Sequence, residues 1–161
     1  MCIRDSIRGN GNWLDVVDNI KEIQQIKNVS RVVGAVAVQV SNVLILDKMI
    51  EEFLDNHGIV FYTNMVNYPT VLSIQTLPNE LKVLAINKLK AVREKVPTFK
   101  LVKEHPILEQ ITYNQIDGVI NYILAKNLNH LWSDTVEFNR RLDTTRSQSF
   151  IDVTPEFKDH V

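Results

Sequence analysis

The fold of this chain is decided by Gly58-Ile-Val-Phe-Tyr-Thr-Asn64, by Tyr68-Pro69 and by Leu77-Pro78-Asn-Glu-Leu-Lys82. These segments predict a short apolar strand with a polar end, a crossing fixed by one proline, and a helix opened by another. In parallel α/β sheets, ligands bind at the carboxyl ends of the strands. The polar residues that close the strand are therefore expected to lie at a ligand-facing edge.

A second strand is predicted upstream. The run Val32-Val-Gly-Ala-Val-Ala-Val-Gln-Val40 is almost continuously apolar and rich in β-branched residues, which is typical of a parallel strand covered on both faces. Helical spacing of apolar residues predicts one helix over 43–56, ended by Gly58, and another over 12–27, capped by Asn12. This alternation of helix and strand indicates the α/β class.

The second half of the chain is predicted to be helical. Apolar residues recur at helical spacing over 79–95, 107–127 and 130–146. A lysine-rich linker with Pro97 and Pro106 is expected between the first two of these helices. The layout is thus a partial α/β layer followed by a helical tail.

Composition narrows the classes of function. The chain has 161 residues, of which 45% are hydrophobic and 23% charged, so it can bury a core of ordinary size. Its formal net charge of −1 argues against a general nucleic-acid binder, and no apolar run reaches the roughly 18 residues that a membrane span needs. A single cysteine, Cys2, excludes a disulfide framework or an all-cysteine cluster site within the chain. A cytoplasmic protein without nucleic-acid or membrane partners is expected.

Few residues form a pattern with recognisable chemistry. The four histidines share no metal-ligand spacing, which favours surface or capping roles over metal binding. Two polar groups remain: Gln39, Ser41 and Asn42 follow the first strand, and Thr63 and Asn64 end the second. Amides and hydroxyls there can hydrogen-bond a polar ligand; alternatively, Ser41 or Asn42 caps the helix that follows. The spacing leaves both interpretations open.

Four segments, in a fixed order, match the pattern of a known family. They are Ile7-Arg8-Gly9 with Trp13 and Asn19-Ile20; Val38-Gln-Val-Ser-Asn42; Tyr62-Thr-Asn64 with Tyr68-Pro69, Leu77-Pro78 and Leu81-Lys82; and Phe138-Asn-Arg-Arg-Leu142-Asp143 continued by Arg146-Ser-Gln-Ser149-Phe150 and Pro155-Glu156-Phe157. Their order and spacing, from about Ile7 to Val161, resemble the C-terminal part of twitch-type radical S-adenosylmethionine (radical SAM) proteins.

The resemblance implies a fold and a domain organisation. Residues 7–76 would be the last helix–strand units of a partial (β/α)6 radical SAM barrel, and residues 77–161 a C-terminal helical extension. The opening hexapeptide, Met1-Cys-Ile-Arg-Asp-Ser6, resembles translated sequencing-adapter sequence. Residues 1–6, including Cys2, are therefore expected to be non-native.

The chain departs from the family in its cluster ligands. The three-cysteine CxxxCxxC loop that holds the family's [4Fe–4S] cluster is absent, and so are the cysteines of an auxiliary cluster. The resemblance therefore implies the C-terminal portion of a longer enzyme. In that parent, the cluster would reductively cleave SAM to a 5′-deoxyadenosyl radical, which abstracts hydrogen from a substrate that the sequence does not identify.

The resemblance also implies a partner and site residues. The partner would be the N-terminal half of the same protein, and the 161-residue chain by itself is expected to be inactive and to bind neither SAM nor the cluster tightly. Ser41, Asn42 and Asn64 are expected to contact the ribose or adenine of SAM, or the substrate. Arg8 could pair with a carboxylate, since its guanidinium offers two parallel donors.

A second hypothesis belongs to a different class. The chain could be a complete small α/β-helical module that binds a ligand or a protein without catalysis. Such a module would close its sheet with edge strands of its own, whereas the enzyme fragment would follow an upstream reading frame that contains CxxxCxxC. The presence of only two predicted strands favours the fragment, because a two-stranded sheet is a poor stand-alone core.

Overall fold

The computed structural model describes residues 12–146 and 149–161. This part of the chain is mostly helical and contains a small two-stranded parallel sheet, which is consistent with the α/β class. The strands are β1 (Val32–Val38) and β2 (Ile59–Met65). The α-helices are α1 (Trp13–Gln24), α2 (Val40–Val43), α3 (Leu46–Glu51), α4 (Asn79–Lys95), α5 (Lys100–Glu104), α6 (Ile107–Ala125), α7 (Trp132–Arg146) and α8 (Phe150–Val153).

The two strands pair in parallel, in register from Val32 opposite Ile59 to Val38 opposite Met65. Parallel strands need a crossover connection rather than a tight turn. Here the crossover is made of α2, α3 and a π-helix, Glu52–His57, where the sequence predicted one continuous helix. It ends at Gly58, whose φ of 60° lies in the left-handed region that favours glycine. Both predicted strands are thereby confirmed.

The two faces of the sheet differ in burial. On one face, Val36, Val38 and Phe61 belong to the hydrophobic core. A Cβ added to Gly34 on this face would lie 3.0 Å from the ring of Phe53, so the crossover packs closely against it. Successive side chains of a strand point to opposite faces, and the other face is exposed except at Val60, which is buried. We call it the open sheet face; its exposed residues are Val33, Ala35, Ala37, Tyr62 and Asn64.

The prediction that β1 is covered on both faces is therefore wrong for the described part of the chain. Val33 is 50% exposed and Tyr62, on the neighbouring strand, is 48% exposed. The reason is that the crossover lies on the opposite face, and α1 lies beside it. Trp13 of α1 stacks on Phe53 with 6.1 Å between the ring centroids. A continuous apolar run is thus compatible with a strand that is covered on one face only.

The predicted helices of the second half are confirmed, and the described residues contain two more α-helices there, α5 and α8. α4 packs on α3 and α6, and α6 packs along β2. The segment predicted as a linker contains the short helix α5, which buries Val102 and follows the buried Phe99. Residues on both sides of position 76 contribute to one hydrophobic core, including Phe61, Leu81, Leu89 and Ile116.

The outer edge of β2 is covered by α6. The backbone N–H of Thr63 points away from β1 and donates to Oε1 of Gln115 at 2.8 Å, and the Thr63 hydroxyl donates to the same oxygen at 2.9 Å. A side chain of a helix thus takes the place of a neighbouring strand. This contact protects the β2 edge from pairing with another chain.

The C-terminal segment returns to the carboxyl end of β1. Phe157 is fully buried, and its ring packs against Phe150 and Trp132 with centroid separations of 5.1 and 5.9 Å. The indole N–H of Trp132 donates to the carbonyl of His160 at 2.7 Å. The hydroxyl of Thr154 donates to the carbonyl of Ser41 at 3.3 Å. These contacts hold the C-terminal segment against the start of the crossover.

We predict that Phe157→Ala lowers the free energy of unfolding by about 3–5 kcal/mol, because it removes a fully buried aromatic ring and leaves a cavity. Val83→Ala is the control, since Val83 is 57% exposed and its truncation should change the free energy by less than about 0.5 kcal/mol. Urea unfolding followed by circular dichroism measures both. Equal losses in the two variants would contradict the packing role of Phe157.

Candidate functional site

The side-chain amide of Asn42 makes two hydrogen bonds at the carboxyl end of β1. Its Oδ1 accepts from the backbone N–H of Gln39 at 2.9 Å, and its Nδ2 donates to the carbonyl of Ala37 at 2.8 Å. Gln39 and Asn42 together form a reciprocal capping arrangement at the start of α2. The amide of Asn42 therefore has a local capping role in this structure.

Ser41 and Asn64 differ from Asn42 in that their side chains have no hydrogen-bond partner within 12–146 and 149–161. Ser41 is half-buried on α2, and its backbone carbonyl accepts from the hydroxyl of Thr154. Asn64 is exposed and lies opposite Ala37 in the sheet register. Neighbouring strands are about 4.8 Å apart, so Asn42 and Asn64 lie on either side of Ala37. Arg8 lies outside the described residues.

The sequence did not single out Tyr62 as a site residue. Its ring stands on the open sheet face beside Ala35, its partner in the register, and two positions before Asn64. Tyr62 and Asn64 are two residues apart, so the sequence already places them on the same face of a strand. The sequence does not show whether that face is exposed, and the structure does.

The backbone of β1 also has an open edge. The N–H of Val66 donates to the carbonyl of Val38, so the even-numbered residues of β1 bond β2. The backbone groups of Val33, Ala35 and Ala37 therefore point the other way. In the described part of the chain, only the carbonyl of Ala37 among them has a partner, the amide of Asn42. We call these backbone groups the open edge of β1.

A cavity of about 200 Å³ lies near the amino end of β2, far from this candidate site along the strand. Its polar groups already connect the crossover to its neighbours. Asp55 accepts from the backbone N–H of Lys100 at 2.9 Å, and Gln24 donates to the carbonyl of His57 at 2.8 Å. The cavity is lined by Gln24, Leu54, Asp55, Asn56, His57, Gly58, Lys100, Leu101 and Glu104. These contacts give it a role in joining α1, the π-helix and α5.

Two ionisable groups are held in partly or largely buried surroundings. Burial is the largest single influence on the Glu156 carboxyl and raises its pKa. The hydrogen bonds from Lys88 and from the backbone of Glu156, together with the charges of Lys88 and Lys48, outweigh burial, so the pKa lies below its ordinary value. Lys88 also donates to the carbonyl of Leu44 at 2.8 Å, which ties α4 to the crossover. Burial lowers the pKa of Lys82, whose ammonium donates to Asn127 at 2.7 Å.

Within 12–146 and 149–161, no group of three or more His, Cys, Asp or Glu side chains is arranged to hold a metal ion. Cys2 lies outside the described residues. Among the described helices, none combines the length and the apolar character needed to cross a membrane.

Compared with models of protein families, with curated proteins and with solved structures, the chain has no match in any of the three.

We predict that Asn42→Ala lowers the free energy of unfolding by about 1 kcal/mol, because the N–H of Gln39 and the carbonyl of Ala37 lose their partner. Asn64→Ala is the matched control, since Asn64 is exposed and its loss should cost less than about 0.5 kcal/mol. Thermal and urea unfolding of both variants measure the difference. Equal stability of the two variants would contradict the capping role.

We predict that Glu156→Gln destabilises the fold at pH 7, by about 1 kcal/mol, because it weakens the contact with Lys88. The pKa of Glu156 is lowered in the folded state, so its contribution is complete above the ordinary value of 4.5 and is lost as the pH falls through the folded value. The stability difference from the wild type should therefore shrink below pH 4.5.

Urea unfolding at a series of pH values between 7 and 3 measures this difference. Glu94→Gln is the control, because Glu94 is an exposed residue of the same helix as Lys88. A difference between Glu156→Gln and the wild type that stays constant over this range would show that the Glu156 charge has no role.

Proposed function

We propose that this chain is the C-terminal portion of a radical SAM enzyme whose remaining strands extend the sheet from β1. The observation that carries the proposal is the contrast between the two sheet edges. The outer edge of β2 is covered by Gln115 of α6, whereas Val33 and Ala35 have outward backbone groups with no partner in the described part of the chain. An uncovered strand edge is a template for another strand.

The open sheet face supports the same proposal. In a barrel of parallel strands, the crossover helices lie outside and the opposite face of each strand points into the interior. The stacking of Trp13 on Phe53 and the close approach of Phe53 to Gly34 put α1 and the crossover on one side. The open sheet face would then line the interior, with Tyr62 and Asn64 among the residues that face a ligand.

The residues that the structure describes do not fit a [4Fe–4S] cluster, since they contain no cysteine and no group of metal-binding side chains. In the proposal, the cluster and its CxxxCxxC loop belong to the preceding part of the parent enzyme. The contribution of this chain to SAM or substrate binding would come from Ser41 and Asn64, whose side chains are available, and from Arg8. Asn42 would hold the end of β1 in place.

The first test of the proposal is to sequence the DNA that precedes this chain in its source. Sequencing the source DNA upstream of the codon for Ile7 should reveal an in-frame extension of about 150 residues or more, roughly one domain length, that contains CxxxCxxC. A stop codon directly upstream, with the codons for Met1 to Ser6 confirmed as native, would overturn the proposal. The chain would then be the complete non-catalytic binding module.

We further predict a change in hydrogen exchange when the extended protein is compared with the 161-residue chain. The amides of Val33 and Ala35 should exchange much more slowly in the extended protein, because an added strand would bond them. The amide of Thr63 is the internal control, since Gln115 accepts its hydrogen already. Rapid exchange at Val33 and Ala35 in both proteins would show that no strand is added at β1.

A further inference from the structure

The cavity near the amino end of β2 is preformed, because hydrogen bonds fix the elements around it. Gln24 of α1 donates to the carbonyl of His57 at 2.8 Å, and Asp55 accepts from the backbone N–H of Lys100 at 2.9 Å. The volume of about 200 Å³ is enough for several water molecules, so the cavity can hold a small molecule. Ligand sites in proteins are usually concave and largely formed before the ligand binds.

Part of the cavity lining has an uncommon backbone. It is the end of the π-helix, of which Leu54, Asp55, Asn56 and His57 all line the cavity. The left-handed Gly58 that ends this helix lines the cavity as well. π-Helices are rare in proteins and occur frequently at functional sites. A cleft and a π-helix, two independent features, thus coincide at one place in the fold.

Another part of the lining carries two charges of opposite sign. Lys100 and Glu104 belong to α5, are exposed and both line the cavity. They are four residues apart, so they lie on one face of the helix. In the part of the chain that the structure describes, neither side chain has an ion pair or a hydrogen bond. The order lysine then glutamate is the less favourable one for pairing on a helix, so both charges are available to a ligand.

The charges of the lining select the class of ligand. A simple anion would be attracted by Lys100 but repelled by the carboxylates of Asp55 and Glu104. A simple cation would be attracted by these carboxylates but repelled by the ammonium of Lys100. A small molecule that carries both an ammonium and a carboxylate can make the two favourable contacts together. The exposed amide of Asn56 adds a hydrogen-bond donor and an acceptor.

We propose that this cavity binds a small zwitterion of the α-amino acid class, with its carboxylate at Lys100 and its ammonium at Glu104. The ligand bridges the two charges that do not pair with each other. The site goes beyond the proposed function, because it lies at the end of β2 opposite to Asn64 and uses none of the residues expected to contact SAM or its substrate. Its affinity is modest, since exposed ion pairs are weakened by water and salt.

Titration of the isotope-labelled chain with L-alanine, followed by amide NMR spectra, tests the site. We expect shifts confined to amides around the cavity and a dissociation constant in the millimolar range. Lys100→Met and Glu104→Gln should each weaken binding about two- to fivefold, the contribution of one exposed ion pair. The matched controls are Lys103→Met and Glu94→Gln, because both residues are exposed and neither lines the cavity. The same spectra show whether each variant is folded.

Probes with a single charge separate the two halves of the site. Acetate and methylammonium should each bind more weakly than alanine, because each makes only one of the two contacts and is repelled by the other charge. Absence of shifts around the cavity at high millimolar alanine, or equal effects of Lys100→Met and Lys103→Met, would overturn the site. Equal binding of acetate would overturn the role of Glu104, and equal binding of methylammonium that of Lys100. None of these outcomes depends on the upstream DNA, so this site and the proposed function stand or fail separately.

Discussion

The parallel pairing of β1 and β2 is the constraint on which the rest of the structure depends. Two parallel strands cannot be joined by a tight turn, so the chain must cross over one face of the sheet. The crossover covers that face through Phe53, and α1 packs beside it. One face is therefore buried by the connection itself, while the other is left with Val33, Tyr62 and Asn64 exposed. The position of the candidate site follows directly from this connection.

Periodicity predicted the long elements because each has enough apolar residues to define a face. Both strands and the helices α4, α6 and α7 were found in this way. The short helix α5 was missed, since five residues between Pro97 and Pro106 give too little periodicity. The π-helix was missed for another reason. Apolar residues from 46 to 54 fit one continuous helix, and the sequence does not show where the hydrogen bonds change from i+4 to i+5.

The positions of the candidate site residues in the fold were predictable from the sequence, but their contacts were not. The sequence placed Ser41, Asn42 and Asn64 at the carboxyl ends of the strands, where the structure has them. It left capping and ligand binding open for Asn42, because that choice depends on the backbone geometry of Gln39. The exposure of Ala35 and Ala37 was not predictable either. A run of valine and alanine has the same sequence pattern whether the strand is covered on one face or on both. Which faces are covered depends on distant parts of the chain.

The open edge of β1 and the open sheet face would be contacted in different ways in a larger assembly. A strand added at the open edge would bond the backbone of Val33 and Ala35, but it would not cover their side chains, because these project perpendicular to the hydrogen bonds. The open sheet face would therefore become wider without being covered. Extension of the sheet would leave the side chains of Tyr62 and Asn64 accessible, so edge pairing and ligand binding on this face could occur together.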